Sequence, residues 1–325
     1  MTEYYAVTNL DEAINRTKKL LWPPHKGIWI RIAIIVLFFG GGIINPIKID
    51  GGDIADLQNG KLLYPSALSG YLDIIVTLMV GICIVGLLYV IISSIFQFVF
   101  VDCLSSGKIL LARPFKVRIG KGIHLFGFYL LLFLIIILCI ITLTVLLIIP
   151  ACTNGIPDLI PLLVLLIETL ILLFFLMTPV WILAILTADF VVPIMIVDNI
   201  GVIAGWRRVI QLYHGRWIEA GIYTGIKIFI TVLTGLILGT MVFLISIPLG
   251  FVSAISMSAS DKLLINHDPG LTPLIFGTIA VFLISLFLLV PVITFFRYYS
   301  LAVLRDLSPE YNLLPANQVT GYKSD

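Results

Sequence analysis

The residues of this chain best placed to do chemistry are those whose charge is out of place. Glu168 and Lys227 each sit inside a long apolar run, where an ionisable group is expensive and is a candidate for function by default. Glu168 lies about ten residues into its run, and Lys227 a similar distance into the next. At ~1.5 Å per helical residue both reach the middle of a bilayer, where they could meet as an ion pair or form a coupling site for an ion or proton. The plainer reading has Glu168 protonated or bonded to a neighbouring Ser or Thr, and Lys227 extended to the membrane surface. The spacing leaves both readings open.

Other reactive residue types lead to less. His25, His124 and His214 sit at the edges of apolar runs, close to Lys or Arg. Imidazole beside guanidinium can hold a phosphate ester, but such residues more commonly anchor a helix at the head-group layer. No metalloprotease, nucleophile-elbow or phosphate-loop motif is present, so no catalytic residue is assigned. Asp50, Asp53 and Asp56 have a spacing that could hold a divalent cation, yet a calcium loop needs a carboxylate where this chain has Lys61. Cys83, Cys103, Cys139 and Cys152 are far apart and lack metal-ligand spacing. The sequence therefore implies no metal and no cofactor.

What must position these residues is set by composition. The 325 residues are 60% hydrophobic and only 12% charged, whereas a globular surface takes about a quarter charged residues. The second apolar solvent must be a bilayer. Six apolar segments, at about 28–44, 72–101, 123–149, 159–188, 218–247 and 271–296, are candidates for spanning helices, each of which needs ~20 residues. The fold class expected is all-α: a polytopic membrane protein of six spans in three hairpins. Residues 1–27 form a cytoplasmic N-terminal helix, 28–299 the membrane domain and 300–325 a cytoplasmic tail. Arg31, in the short first span, must reach back to the surface.

Charge orients the spans. Fifteen of the 20 Lys and Arg residues fall before the first span, in the second and fourth loops, or after the last span. Lys48, Lys61 and Lys262 alone lie on the opposite side. By the positive-inside rule both termini are cytoplasmic in a multi-pass protein of the cell membrane. The net charge of +2 gives no nucleic-acid footprint.

Two amphipathic helices lie outside the spans. At about 200–216 the apolar residues Val202, Ile203, Trp206, Val209, Ile210, Tyr213 and Trp217 follow helical steps, with Arg207, Arg208, Gln211 and His214 opposite. This is the pattern of a helix lying on a membrane, its basic face toward head groups. At 8–22, with Thr8 or Asn9 as cap, Leu10, Ala13, Ile14, Thr17, Leu20 and Leu21 share a face. Lys18 and Lys19, with His25 beyond Pro23-Pro24, parallel Arg207 and Arg208 with His214, Arg216 and Trp217, which suggests an internal repeat. Asp189 to Ile200 reads as a turn. In the fifth span Gly221 and Gly225, then Gly235 and Gly239, are spaced to admit a neighbouring helix. Pro179, Pro248 and Pro291 are candidate kinks.

The segments Arg16–Leu21, Asp189–Pro193 and Gly201–Val209, with Trp217, resemble an uncharacterised family of archaeal multi-pass membrane proteins. That family is distantly similar to the membrane domain at the N-terminus of some bacterial glycerophosphoryl diester phosphodiesterases. The resemblance implies a six-helix unit in contact with phospholipid, without the soluble barrel that carries the hydrolysis. The expected function is non-enzymatic: the basic residues engage anionic lipid head groups and organise the membrane or a membrane partner. The alternatives are a small-solute or ion transporter with a midplane site near Glu168, and a lipid head-group enzyme.

Overall fold

A computed structural model describes residues 5–39, 72–107, 109, 111–148, 159–263 and 271–314. Among these every regular element is helical. The helices are α1 (Tyr5–Leu21), α2 (Lys26–Phe39), α3 (Leu72–Ser106), α4 (Ala112–Leu143), α5 (Leu159–Leu186), α6 (Val192–Val197), α7 (Val202–Leu212), α8 (Trp217–Leu263) and α9 (Leu271–Leu307). A π-helical turn, Thr187–Val191, joins α5 to α6 without a break. Helix α3 packs on α4, α4 on α5 and α8 on α9, and α9 closes the bundle by touching α1, α2, α8 and the π turn.

Five of these helices are long and apolar enough to cross a membrane. The first expected span corresponds to α2, 14 residues long where described, and its remainder at 40–44 lies outside the described residues. The acidic loop at Asp50–Asp56 and Cys152 also lie outside them.

Several helices run further than hydropathy suggests. The fourth apolar helix continues through Asp189 to Val197, so the expected turn at 189–200 is helical for most of its length. Pro193 falls at the junction of the π turn and α6, where the backbone hydrogen-bond register changes. The chain turns only after Asp198, where Asn199 adopts a left-handed φ of 56°. Helices α5, α8 and α9 run on through Pro179, Pro248 and Pro291. Helix α9 extends past 296 to Leu307 and carries Arg297 and Arg305 within it. Beyond it Tyr311 and Leu314 are buried, so the start of the expected tail belongs to the packed body.

The N-terminal helix begins by Tyr5, which places Thr8 and Asn9 inside it rather than at a cap. Their side chains bond back to the Tyr5 carbonyl, at 3.3 and 2.9 Å. Its buried residues are Ala6, Asn9, Ala13, Thr17 and Leu21, while Ile14 faces outward.

Packing is concentrated at one end of the bundle. Phe98–Leu104, Phe190–Val192 and Tyr298–Leu304 contribute most of the core, with α1 against them. The other halves of the long helices differ. Consecutive residues such as Ile82, Ile84, Val85, Leu87 and Leu88, or Leu170 to Leu172 with Phe174 and Phe175, are exposed on all faces of their helices. A helix that is apolar all round requires an apolar surrounding, which is lipid.

Candidate functional site

The packed end is the basic end, and specific bonds hold it together. Arg118 of α4 meets Asp102 of α3 through two parallel bonds of 2.7 and 3.0 Å, the geometry in which guanidinium and carboxylate bind most tightly. Lys121 of α4 donates to the Met195 carbonyl of α6 at 2.6 Å. Arg31 of α2 donates to the Ile109 carbonyl in the α3–α4 connection at 2.9 Å. Arg305 near the end of α9 grips both carboxylate oxygens of Glu12 at 2.8 and 3.0 Å, and Asn9 reaches Asp306 at 2.7 Å. Tyr299 donates to the Ala6 carbonyl at 2.8 Å. Tyr311 donates to Asp198 at 2.9 Å. These bonds tie α1 to α9, α3 and α6 to α4, and the segment after α9 to the end of α6.

Glu12 and Tyr311, outside the spans, have shifted acidities with clear causes. The Arg305 guanidinium holds the Glu12 carboxyl below its usual range, with Arg16 adding to the effect against partial burial. Burial, then the bond to Asp198, pushes the Tyr311 hydroxyl up to about 12.

Helix α7 lies across this end. It buries Val202, Gly205 and Val209, with Tyr213 just beyond, while Ile203 is 80% and Ile210 49% exposed. The expected single apolar face is therefore two rows. The inner row packs on α6 and the π turn. Trp206 donates to Thr187 at 3.1 Å, and Tyr213 meets the edge of Phe190 with centroids 5.6 Å apart. Gly205 is required there: a Cβ on it would stand 2.8 Å from Val191 Cγ1. The outer row, Ile203, Arg207, Ile210 and His214, is exposed together with Arg208, Arg216 and Trp217. Lys18, Lys19 and His25 are exposed as well.

Inside this end lies a cluster of buried charge. Asp189, 3% exposed, is carried inward by the π turn. Lys227 of α8 forms its salt bridge, and Tyr223, one turn earlier on α8, donates to the same oxygen at 2.8 Å. Arg297 of α9 is 2% exposed and donates through Nη1 to the Ala188 carbonyl at 2.5 Å. Its guanidinium lies 5.0 Å from the centre of the Phe39 ring and 5.9 Å from that of Phe100. Nearby, Tyr129 donates to Gln97 at 3.1 Å. Asp189 lies eight residues before the end of its span, and Lys227 and Arg297 ten residues from theirs. At ~1.5 Å per residue all three sit ~12–15 Å deep from one end, which is why three helices can share the cluster.

These positions correct two expectations. Glu168 is exposed on α5, and Lys227 pairs with Asp189 instead. Gly221, Gly225, Gly235 and Gly239 face open space, with no atom within 4 Å of an added Cβ. The close approach between long helices is made by Gly122 of α4, whose Cβ would meet the Ile95 backbone at 3.0 Å.

The helices and the buried intramembrane charge define an all-α, multi-pass membrane protein. Residues 4–314 match the model described as "Family of unknown function (DUF7544)", and the chain belongs to that family. No curated protein and no solved structure matches it.

Proposed function

We propose that this is a non-enzymatic, six-span protein of the cell membrane whose basic end binds anionic lipid head groups and so organises the surrounding bilayer. The observation that carries this reading is the outer row of α7. Ile203 and Ile210 are exposed in the same row as Arg207 and His214, beside Arg208, Arg216 and Trp217. Exposed apolar and cationic side chains together suit the boundary between acyl chains and head groups, and neither water nor hydrocarbon alone. Each such cation contributes ~1 kcal/mol beside an anionic surface. Lys18, Lys19 and His25 extend the same rim, and Trp22 is 73% exposed within it.

In this reading the apolar segment begun by α2 continues to residue 44 as the first span, and residues 28–299 form the membrane domain. The basic end faces the cytoplasm, with both chain termini, as the charge bias requires. The paired basic segments before the first and fifth spans, and the resemblance to the phosphodiesterase membrane domain, fit a lipid-contacting unit. A transport site built on Glu168 gains no support from a side chain exposed on the outside of α5.

The test is native mass spectrometry of the full chain released from membranes. Replacing Arg207, Arg208 and Arg216 with Gln should reduce retained anionic phospholipid while leaving neutral phospholipid unchanged. Equal retention refutes the proposal.

A further inference from the structure

Arg297 makes only part of the bonding its guanidinium allows. Nη1 is used by the Ala188 carbonyl, but Nε and Nη2 are buried and have no hydrogen-bond partner. Those two nitrogens form one edge of the guanidinium fork. The same pair on Arg118 holds Asp102 in this protein. Such an edge matches two oxygens of a carboxylate or phosphate. The local charge agrees, because Lys227 and Arg297 supply two cations to the one carboxylate of Asp189. Asp189 is itself committed to Lys227 and Tyr223 through the same oxygen.

From this geometry we infer that Arg297 anchors an internal oxyanion site, which takes a carboxylate or phosphate group on its Nε–Nη2 edge. One anionic charge there balances the cluster and satisfies the buried donors, each costly to leave unbonded in an apolar interior. The guanidinium lies beside the Phe39 and Phe100 rings, 5.0 and 5.9 Å from their centres. The oxyanion belongs either to a free anion or to the head group of a lipid that enters between the helices. The shared chemistry is the oxyanion. This site is separate from the exposed rim and does not depend on it.

The experiment uses the purified full chain in a phosphate-free maltoside detergent at constant ionic strength. Thermal unfolding is followed with millimolar inorganic phosphate or acetate against chloride, and separately with added phosphatidylglycerol against detergent alone. Saturable stabilisation by the soluble anions identifies a free oxyanion as ligand. Stabilisation by phosphatidylglycerol alone identifies a head group. In either case Arg297→Lys, which keeps the charge but loses the fork, should weaken the apparent affinity about tenfold or more. The Arg207, Arg208 and Arg216→Gln protein should keep the effect. Absence of anion-dependent stabilisation in the unsubstituted chain overturns the inference, even if the Arg297 variant does not fold. So does an unchanged affinity in Arg297→Lys, or loss of the effect in the rim variant.

Discussion

Lys227 and Asp189 are joined in a salt bridge between α8 and the π turn, deep within the packed end of the bundle. Tyr223 donates to the same carboxylate oxygen, so Asp189 binds α8 at two points one turn apart. Removing one partner leaves the other charged and enclosed. Asp189→Asn and Lys227→Met should each destabilise the chain by about 3 kcal/mol or more, and the double variant by much less than their sum. Reversible unfolding in mixed micelles measures the cycle. Additive losses would mean that the pair contributes no coupling.

Glu168 should be independent of this pair. Glu168→Gln combined with Lys227→Met is expected to be additive within about 0.5 kcal/mol. A larger coupling in the same unfolding experiment would place Glu168 at the cluster.

The two kinds of glycine should also separate. Gly122→Ala must push α4 away from the Ile95 backbone of α3, a steric cost of about 1–3 kcal/mol. Gly225→Ala meets no neighbour and replaces a poor helix former with the best one, so it should be neutral or slightly stabilising. Comparing the melting temperatures of the two variants checks both.

Acid should loosen α1. The Glu12 carboxyl is held below its ordinary value chiefly by Arg305, so its contribution to stability is present above the usual carboxylate range. That contribution is lost as pH falls through the lowered folded-state value. Hydrogen exchange, corrected for its intrinsic pH dependence, should show α1 amides losing protection on acidification. Glu12→Gln should lack protection at neutral pH and show a flatter profile. Identical profiles would show that the clasp contributes nothing.

Much of the membrane architecture is legible in the sequence because apolar run length is a local property. The long helices, α1, α7 and the gathering of charge at alternate loops all follow from composition and period. The buried cluster escapes hydropathy for a definite reason. Hydropathy ends the fourth segment at 188 and the sixth at 296, one residue short of Asp189 and Arg297, because a charged residue is not apolar. The surviving signal was the apolar and aromatic sequence beyond each charge: Phe190-Val191-Val192 in one case, Tyr298-Tyr299 and Leu301 to Leu304 in the other. Which carboxylate meets Lys227 depends on where α5, α8 and α9 come together, and spacing along one chain carries no information about that. The glycine spacing in α8 permits a close neighbour without supplying one. On α7 the steps from Val202 and from Ile203 are both helical, and only the narrow contact with α6 and the π turn decides which row is buried.

The lipid-facing role of the basic end is tested most directly by electron paramagnetic resonance of spin-labelled lipids around the reconstituted full chain. The unsubstituted protein should hold phosphatidylglycerol in its motionally restricted shell in preference to phosphatidylcholine. That preference should fall with added salt and in the Arg207, Arg208 and Arg216→Gln variant. Equal association of the two lipids, or a preference unchanged by salt and by the substitutions, would contradict it.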